Sequence, residues 1–345
     1  MSGTVIYSDT NSDLTPSASN QATSAYFSRL MLTNARYANV FDRWAELVDL
    51  PSNEGSTVIV RRWTHLPLAI SPLTEGVPPA GKTPSLDDFS CTLAQYGDYI
   101  AASDFLRFTT KDEALNRWTT LLGEQEGYSI DIVKRNTADA GTNVIYSNGT
   151  ARTDVATPLD QNDLDRAIRT MIGAGAEMIM SGGGAMSAEG TRPSLPAYAM
   201  VVHPYVWYTI QNFSPGPGGF LYSNQYQGAA EGEMGRYKNL AIFVAADPSS
   251  LGGGARVRTG AGGPSTAVRN TSGTVDVYES MIFSKKGFNS VKLSGQSMKM
   301  FVKPVGSAGA LDPLDQVGSV GWKVTTAQMR TNENWIMRIE SGAEV

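Results

Sequence analysis

The sequence predicts an α+β fold, because helical patterns dominate its first half and short strand patterns dominate its last quarter. Apolar residues recur at three- and four-residue steps after Thr110 and again after Asp160, which is typical of amphipathic helices. From residue 274 onward, β-branched and aromatic runs alternate with Gly, Pro, Asn and Asp. At 345 residues the chain is long enough for two domains.

The N-terminal part of the chain divides into a polar segment and a helical pattern. Residues 1–24 are rich in Ser, Thr and Asn and have too few apolar side chains to fold alone, which indicates an N-terminal arm. Apolar side chains from Tyr26 to Leu47 then follow helical spacing. This pattern predicts a first helix within residues 25–54, ending before Pro51.

Two β-branched runs surround a proline-rich segment. Residues Ser56–Trp63 and Cys91–Ala101 are predicted strands that would pair as an antiparallel ribbon. Between them, the stretch from His65 to Asp88 holds five prolines, which lack amide donors and favour extended conformations in the residues before them. We therefore expect a long projecting excursion.

Two helices are predicted in the next hundred residues. The capping box Thr110–Glu113 starts a pattern that continues toward Ala140 and Gly141, and thirty helical residues span roughly 45 Å. A second helix is expected to start near Asp160 and to stop at Gly182, Gly183 and Gly184. Its predicted buried face consists of Leu164, Ala167, Ile168, Met171 and Ile172.

The remaining pattern mixes short elements. Residues 197–202 and 240–246 are predicted strands, a short helix is expected from Pro204 through Phe213, and the Gly-rich residues 251–273 are predicted to form an exposed flexible loop. The last strand candidates are TVDVYESMIF, NSVKLS, MKMFVKP, GSVGWKVTTAQ and NWIMRIE.

Composition and charge exclude several functional classes. The net charge of −5 argues against sequence-independent nucleic-acid affinity, because phosphate binding needs clustered Lys and Arg. A single cysteine excludes an intrachain disulfide framework. The sequence begins without a signal-peptide pattern and has no uncharged apolar run of about 18 residues, so we predict neither secretion nor a membrane span.

One motif matches a nucleotide-binding expression. Residues Gly76–Thr83 satisfy G-x-x-x-x-G-K-[ST], the P-loop pattern. A P-loop needs an entering strand, successive backbone N–H groups around the phosphates and a helix that leaves after them. Pro78 and Pro79 remove two of those donors, and Pro84 disfavours helical dihedrals at Thr83. A P-loop NTPase is therefore only a distant alternative, which nucleotide binding by a Lys82→Ala variant would test.

Other groups with possible chemistry favour a structural interpretation. The two histidines are His65, which has no evident partner, and His203, which we expect to cap or pack at a strand-to-helix junction. Cys91 lies in a strand pattern and is expected to be a small buried residue. The aromatic residues of the short helix are expected to lie in the core or at a subunit contact. We therefore predict no catalytic, cofactor-binding or metal-binding site, and no enzyme.

Several motifs, taken together and in order, resemble the major capsid proteins of the N-four-like tailed phages. They are LTEGVPPAG at residues 73–81, LAQYGDYI at 93–100 followed by SDF, the pair His203–Pro204, DPLDQVGSVGWKV at 312–324, and NWIMRIE. The resemblance implies the Hong Kong 97-type capsid fold. On that mapping residues 1–24 are the N-terminal arm, 25–54 a first helix, 55–105 the β-ribbon called the E-loop, 106–158 the peripheral domain with a long spine helix, 159–273 the axial domain, and 274–345 strands of both domains.

The same resemblance implies a function. Such proteins self-assemble into pentamers and hexamers of an icosahedral shell that encloses double-stranded phage DNA without sequence-specific binding. The expected partners are further copies of the chain and portal, scaffold or decoration proteins; the expected location is the virion, after assembly in the host cytoplasm. The implied contacts are the E-loop tip residues Glu75, Gly76, Pro78, Pro79, Gly81 and Lys82, and the arm residues Ile6, Tyr7 and Leu14. An encapsulin-like compartment stays an alternative within this fold, and an extracellular β-protein is a third candidate that the long capped helix disfavours.

Overall fold

The computed structural model describes residues 40–73, 75–76, 78–104, 114–179, 196–213, 219–223, 229–245, 255–260, 268–271, 273–294, 298–303, 314 and 316–345. The predicted arm, residues 26–39 of the predicted first helix and the capping box Thr110–Glu113 lie outside these ranges. The chain forms two compact units. The smaller comprises Met1–Asn39, Gln95–Tyr128 and Gln296–Thr325, and the larger comprises Val40–Ala94, Ser129–Gly295 and Thr326–Val345.

The described elements follow in chain order. They are a 3₁₀ turn at Asp42–Trp44, β1 (Glu46–Leu50), β2 (Thr57–Trp63), β3 (Leu86–Thr92), β4 (Ala94–Ser103), α1 (Ala114–Asp139), β5 (Val144–Tyr146), a 3₁₀ turn at Arg152–Asp154, α2 (Gln161–Gly173), β6 (Tyr198–Val202), α3 (Pro204–Gln211), β7 (Phe220–Tyr222), β8 (Glu233–Tyr237), β9 (Leu240–Val244), β10 (Val257–Thr259), β11 (Asn270–Thr271), β12 (Thr274–Phe283), β13 (Phe288–Leu293), β14 (Lys299–Lys303), β15 (Val317–Arg330), a 3₁₀ turn at Glu333–Trp335 and β16 (Ile336–Ser341).

The larger unit is built around a nine-stranded mixed sheet. Its strand order is β5-β16-β12-β6-β9-β8-β7, and β10 and β11 also pair with β12. One face of the sheet packs against α2 and α3 through side chains such as Leu164, Met171 and Ile210. The other face packs against Phe41, Trp44 and Ala138. Because both faces are covered, β6 is buried at all five positions, as its continuous apolar sequence requires.

Two smaller sets of strands complete the larger unit. Strand β1 pairs in parallel with β13, and β13 pairs antiparallel with residues 326–330 of β15. Strands β2 and β3 form an antiparallel ribbon. Apolar side chains from all of these strands share one cluster, which includes Leu50, Val58, Val291, Ala327 and Met329.

The smaller unit contains a three-stranded sheet and the first part of α1. Residues 319–323 of β15 pair antiparallel with β14, and β15 also pairs with β4. Met300, Val320 and Trp322 bury one face of this sheet against Leu122 of the helix. The indole Nε1 of Trp322 donates to Gln125 Oε1 at 3.3 Å. Because one face of β15 packs against the helix, the alternate residues Val320 and Trp322 are apolar.

The long helix and the start of the second helix are confirmed. Helix α1 ends at Asp139, beside the predicted stop at Ala140 and Gly141. Helix α2 begins after Asp160, whose side chain accepts from Gln161 N–H, and Asp163 completes the capping box. The prediction for its end was wrong: α2 stops at Gly173, and Gly175 adopts φ +66° just beyond it. Ile172 was wrongly placed on the buried face, since 51% of it is exposed.

The prediction of a helix through residues 40–50 was wrong. A single 3₁₀ turn is followed at Ala45 by extended backbone and then by strand β1. The carboxylate of Asp131 accepts the N–H groups of Val40 and Phe41 at 2.9 and 2.8 Å, which holds this part of the chain against helix α1. Pairing of β1 with the distant strand β13 then outweighs the local helical spacing.

Two further predictions are corrected. The predicted strand Cys91–Ala101 is divided at Leu93 between β3 and β4, and the partner of β2 is β3, which starts earlier at Leu86. The predicted flexible loop 251–273 contributes β10 and β11 to the large sheet, and Ala255 and Val268 are buried. Strands of two or three residues are too short to produce a recognisable alternation of apolar and polar residues, and the many glycines around them favoured the prediction of a loop.

Candidate assembly surfaces

The ribbon of β2 and β3 is held by cross-strand pairs along its length. Seven residue pairs are in register, from Thr57 opposite Thr92 to Trp63 opposite Leu86. Arg61 and Asp88 form an ion pair at 3.3 Å, and Arg62 and Asp87 form another at 3.1 Å. These exposed pairs contribute little energy singly, about 0.2–1 kcal/mol each, but they fix the register.

The base of the ribbon is anchored in the larger unit. The guanidinium of Arg62 donates to the carbonyl oxygen of Thr331 at 3.0 Å and lies 5.1 Å from the ring centroid of Phe89. Val60, Phe89 and Cys91 pack against the cluster around Val291. Cys91 is half-buried, and this burial raises the pKa of its thiol, which disfavours the reactive thiolate.

Beyond the paired strands, the excursion carries an exposed apolar ridge. Residues 64–85, where described, have neither helix nor strand. Leu66, Leu68 and Ile70 alternate along an extended stretch and are 53%, 84% and 85% exposed, and Leu73 is 75% exposed. Side chains spaced by two residues share one face of an extended chain. We call Leu66, Leu68, Ile70 and Leu73 the apolar ridge; an exposed apolar stretch of this kind marks a contact surface.

The predicted tip residues follow the apolar ridge and are all exposed. They are Glu75, Gly76, Pro78, Pro79, Gly81 and Lys82. Gly76 adopts φ +75°, a conformation that glycine tolerates and other residues rarely adopt. The alternating apolar side chains of the ridge were visible in the sequence as HLPLAIS, but the predicted contact residues, at the tip and in the arm, do not include them.

The geometry of the P-loop is not met by the matching residues. No described residue before Gly76 in the excursion belongs to a strand, and the chain after Thr83 enters strand β3 at Leu86, where a P-loop has a helix. The side chain of Lys82 is exposed, as is the backbone around it. The structure therefore does not support the nucleotide-binding alternative.

The histidines and the short helix have structural surroundings. His203 is buried, and its Nδ1 accepts the N–H of Tyr205 at 3.2 Å as the N-cap of α3. His65 is exposed at the base of the excursion. Trp207 lies in the core, whereas Tyr208 is 55% exposed. The prediction that His203 caps or packs is confirmed, and its helix ends at Gln211, two residues before the expected end at Phe213.

A buried ionic cluster occupies the larger unit. Asp139 accepts from Arg256, Arg258 and Arg338 at 2.8, 2.5 and 2.7 Å. Burial and a hydrogen bond to Asp139 raise the pKa of Glu279 to about 7, whereas that hydrogen bond and the arginines outweigh burial and hold the pKa of Asp139 below its ordinary value. The cluster ties the end of α1 to β10, β12 and β16 and has the pairing that buried charges need.

Two further arginine contacts extend this cluster. Arg152 donates through Nε and a terminal nitrogen to Glu340, both at 2.6 Å, and also contacts Glu279 at 3.1 Å. Glu340 is fully buried. Guanidinium groups of the fold engage Asp139, Glu279 and Glu340, so the arrangement ties neighbouring elements of the larger unit together.

The cleft found among the described residues has no group of unpaired charged or metal-binding side chains. A cleft of about 680 Å³ lies among β3, α1 and β15 in the larger unit, with Phe89, Val133 and Met329 in its lining. Its charged lining residues are already paired, Asp88 with Arg61 and Arg330 with Glu333. Among the described residues no group of His, Cys, Asp and Glu is arranged to hold a metal ion. No described helix combines the length and apolarity that crossing a membrane requires.

The contact residues predicted for the arm, Ile6, Tyr7 and Leu14, lie outside the described residues. The ribbon, the apolar ridge and the tip are neighbours along the chain, and the contacts expected at the tip and in the arm both stay predictions.

Comparison with solved structures identifies the fold. The chain is similar to a chain in the capsid of Ralstonia phage GP4, with a TM-score of 0.63 and 11% identity over 89% of this chain and 92% of that one. It is also similar to a chain in the capsid structure of cyanophage P-SCSP1u, with a TM-score of 0.56 and 12% identity over 89% of both chains. A chain in the head structure of Helicobacter pylori bacteriophage KHP40 gives a TM-score of 0.55 and 10% identity over 86% and 87%. No protein-family model and no curated protein sequence matches. The chain thus has the α+β fold of phage capsid chains, the Hong Kong 97-type fold.

Proposed function

We propose that the chain is the major capsid protein of a tailed bacteriophage, which assembles into the pentamers and hexamers of an icosahedral shell around double-stranded DNA. The observation that carries the proposal is the apolar ridge, an extended exposed surface on a fold shared with phage capsid chains. A monomeric protein gains nothing from exposing four large aliphatic side chains between residues 66 and 73. A shell subunit buries them against a neighbouring copy.

The size of the expected contact energy supports assembly through many weak contacts. Complete burial of one Leu or Ile side chain stabilises by about 1.5–3 kcal/mol, and ordering the contacting side chains opposes this by about 0.5–1.5 kcal/mol each. The apolar ridge therefore contributes only a few kcal/mol for each subunit contact. Closure of a shell links many such contacts, so the whole assembly is far more stable than any pair.

The parts of the capsid architecture map onto the chain as follows in this proposal. Residues 1–24 are the N-terminal arm, 25–54 an arm-proximal segment, 55–105 the E-loop, 106–158 the spine-helix region, 159–273 the axial domain, and 274–345 strands of the peripheral and axial domains. The ribbon of β2 and β3 with its excursion supports the E-loop assignment, and the 26-residue helix α1 supports the spine assignment. The tip residues 75–82 and the arm residues Ile6, Tyr7 and Leu14 contact adjacent copies.

Partners and location follow from the same proposal. The chain binds further copies of itself, works with portal, scaffold or decoration proteins, and encloses DNA without reading its sequence, in keeping with its net charge of −5. It assembles in the host cytoplasm and ends in the virion. In this proposal the chain catalyses no reaction, because its role is to assemble a shell.

The test is light scattering and negative-stain microscopy of the purified chain, alone and expressed with phage partners. We expect closed shells or rings of five or six subunits. Leu68→Asp together with Ile70→Asp should abolish them while the circular dichroism spectrum stays unchanged. Ser71→Asp, which adds a charge in the same exposed stretch and removes no apolar side chain, should assemble normally. A wild-type chain that stays monomeric with its partners and binds ATP through Lys82 would refute the proposal.

A further inference from the structure

The three-stranded sheet of the smaller unit has one face that carries lysines and aromatic side chains. Lys299 on β14 is in register with Lys323 on β15, and Phe301 is in register with Gly321. A Cβ atom placed on Gly321 would lie 2.7 Å from the Cβ of Tyr99, so Tyr99 faces the same glycine from β4. Directly opposite residues share a face of the sheet. We call Tyr99, Phe301, Lys299, Lys303 and Lys323 the lysine face.

The lysine face is the outer side of this sheet. Side chains alternate between the two faces of a strand, and the alternate positions Met300, Val320 and Trp322 are buried with Leu122. On the lysine face, Tyr99 is 69% exposed and Phe301 is 47% exposed. Gly321 separates the two aromatic residues, which leaves a shallow apolar centre between them.

The positive charges of the lysine face repel each other in the isolated chain and so destabilise its sheet. Lys299 and Lys323 stand directly opposite each other, and like charges in that position destabilise a sheet. Lys303 extends the positive charge along β14, and all three lysines are exposed. Within the described ranges no carboxylate lies at ion-pair distance from any of them. A face that combines an apolar centre with uncompensated positive charge is complementary to an acidic partner that also presents an apolar side chain.

The larger unit contains a segment with the matching chemistry. Residues 46–54 hold the exposed carboxylates Glu46, Asp49 and Glu54, and none of these forms an ion pair among the described residues. Leu47 is 56% exposed in the same segment, because Val48 and Leu50 take the inward positions of β1. Some other exposed acids are engaged within the fold, such as Asp87 with Arg62.

We propose that the lysine face of one copy binds the acidic segment 46–54 of a second copy, with Leu47 against Tyr99 and Phe301 and with Asp49 and Glu54 near the lysines. This contact rests on the proposed shell-forming function and adds a second interface to the apolar ridge. Two lysine faces repel each other, so the contact joins different surfaces of the two copies. Head-to-tail contacts of this kind close into rings or continue through a lattice, as a shell requires.

A second copy fits the lysine face better than nucleic acid does. Lys299 and Lys303 lie on an edge strand, and a strand rises only about 3.3 Å per residue, so the three lysines cover a short patch. Nucleic-acid affinity at physiological salt requires many more phosphate contacts than three. The apolar centre is matched by Leu47, which a phosphate backbone does not offer.

The test is photo-crosslinking between neighbouring copies in assembled shells, from a photo-reactive residue placed on the lysine face. Phe301 is replaced by p-benzoyl-phenylalanine, shells are irradiated, and crosslinked peptides are identified by mass spectrometry. We expect covalent dimers whose crosslink maps to residues 46–54. The same photo-reactive residue at Lys285, an exposed position of the larger unit, is the control and should give no dimer through that segment.

Charge reversal gives an independent readout. Lys299→Glu with Lys323→Glu should slow shell formation at low salt at least tenfold, and Asp49→Lys with Glu54→Lys on the same chain should restore it. Lys285→Glu should have no effect. Three outcomes would overturn the contact: shells that form without crosslinked dimers, dimers whose crosslink maps outside residues 46–54, and crosslinks to nucleic acid. Each of them would leave the proposed function standing, because shells still form. A wild-type chain that forms no shells would contradict the proposed function, and the contact with it.

Discussion

Removal of the charge at Asp131 should stabilise the protein above neutral pH. The carboxylate accepts two backbone N–H groups, from Val40 and Phe41, in a buried site. Burial is the largest influence and raises the pKa of Asp131 from 3.8 to about 7, although both hydrogen bonds and the nearby Lys134 oppose it. The charged form therefore costs the folded state more than the unfolded state.

The sign and size of the effect follow from linkage. Between pH 4 and 7 the folded chain holds a proton on Asp131 that the unfolded chain has released, so the free energy of unfolding falls as pH rises through this window. A difference of about three pKa units corresponds to about 4 kcal/mol at pH 8 relative to pH 4. Asp131→Asn keeps an oxygen acceptor without the charge, so it should gain up to that amount over wild type at pH 8 and nothing at pH 4. Asp131→Ala removes the acceptor and should lose about 1–3 kcal/mol for each unpaired N–H group.

The assay is urea unfolding of the unassembled chain at pH 4, 6 and 8, with hydrogen exchange of the Val40 and Phe41 amides as a local readout. The pKa of Glu279 is also raised to about 7, so the wild-type slope contains both groups, and only the difference between Asp131→Asn and wild type isolates Asp131. Glu54→Gln, on an exposed turn, is the control and should show no such pH-dependent difference. If Asp131→Asn were less stable than wild type at pH 8, burial of charge would not be the dominant influence on this site.

Three other substitutions test the packing of the larger unit by thermal or denaturant unfolding. Gly342→Ala should destabilise by about 1–3 kcal/mol, because the new Cβ would lie 2.2 Å from Val268 Cγ1; a neutral result would mean that Val268 moves freely. Met171→Ala should cost about 2–5 kcal/mol, since Met171 is fully buried between α2 and the sheet, and a loss below 1 kcal/mol would contradict that packing. Asp160→Ala should cost about 0.5–2 kcal/mol through loss of the N-cap of α2, and an unchanged midpoint would show that Asp163 alone satisfies the first turn.

Sequence reasoning succeeded where local patterns and final structure agree. Helix α1 and the start of α2 were predictable because long apolar periodicity and a capping box both act within a few residues. Strand β12 was predicted with its observed bounds, since ten consecutive strand-forming residues lie between turn residues. The fold class and strand β2 followed from the same kind of evidence, although the partner strand of β2 begins at Leu86 and not at the predicted Cys91.

The failures share a physical cause, which is pairing between distant parts of the chain. Residues 46–50 have helical apolar spacing, yet they pair with β13, whose sequence lies far downstream. Likewise β10 and β11 become strands only because β12 provides a long edge for them. No single-sequence periodicity contains this information.

The candidate surfaces were only partly predictable for a related reason. The exposed excursion followed from its prolines, but the exposure of Leu68 and Ile70, on which the proposed contact rests, depends on the folded structure. The lysine face depends on the register of β14 with β15, which places Lys299 beside Lys323 although they are distant in sequence. A charge pattern of this type cannot be read before the strands are paired.

The parallel pairing of β1 with β13 has a consequence for synthesis on the ribosome. Residues 46–50 cannot enter their sheet until residues 289–293 have emerged, and β5 must wait for β16. At about 5–20 residues per second, the interval between completing β1 and reaching residue 345 is roughly 15–60 s. During that time the base of the ribbon lacks Val291 and Met329, against which it packs. A nascent chain therefore leaves the apolar side chains at the base of the ribbon without their packing partners during this interval, and transiently exposed apolar surface of this kind is prone to aggregate.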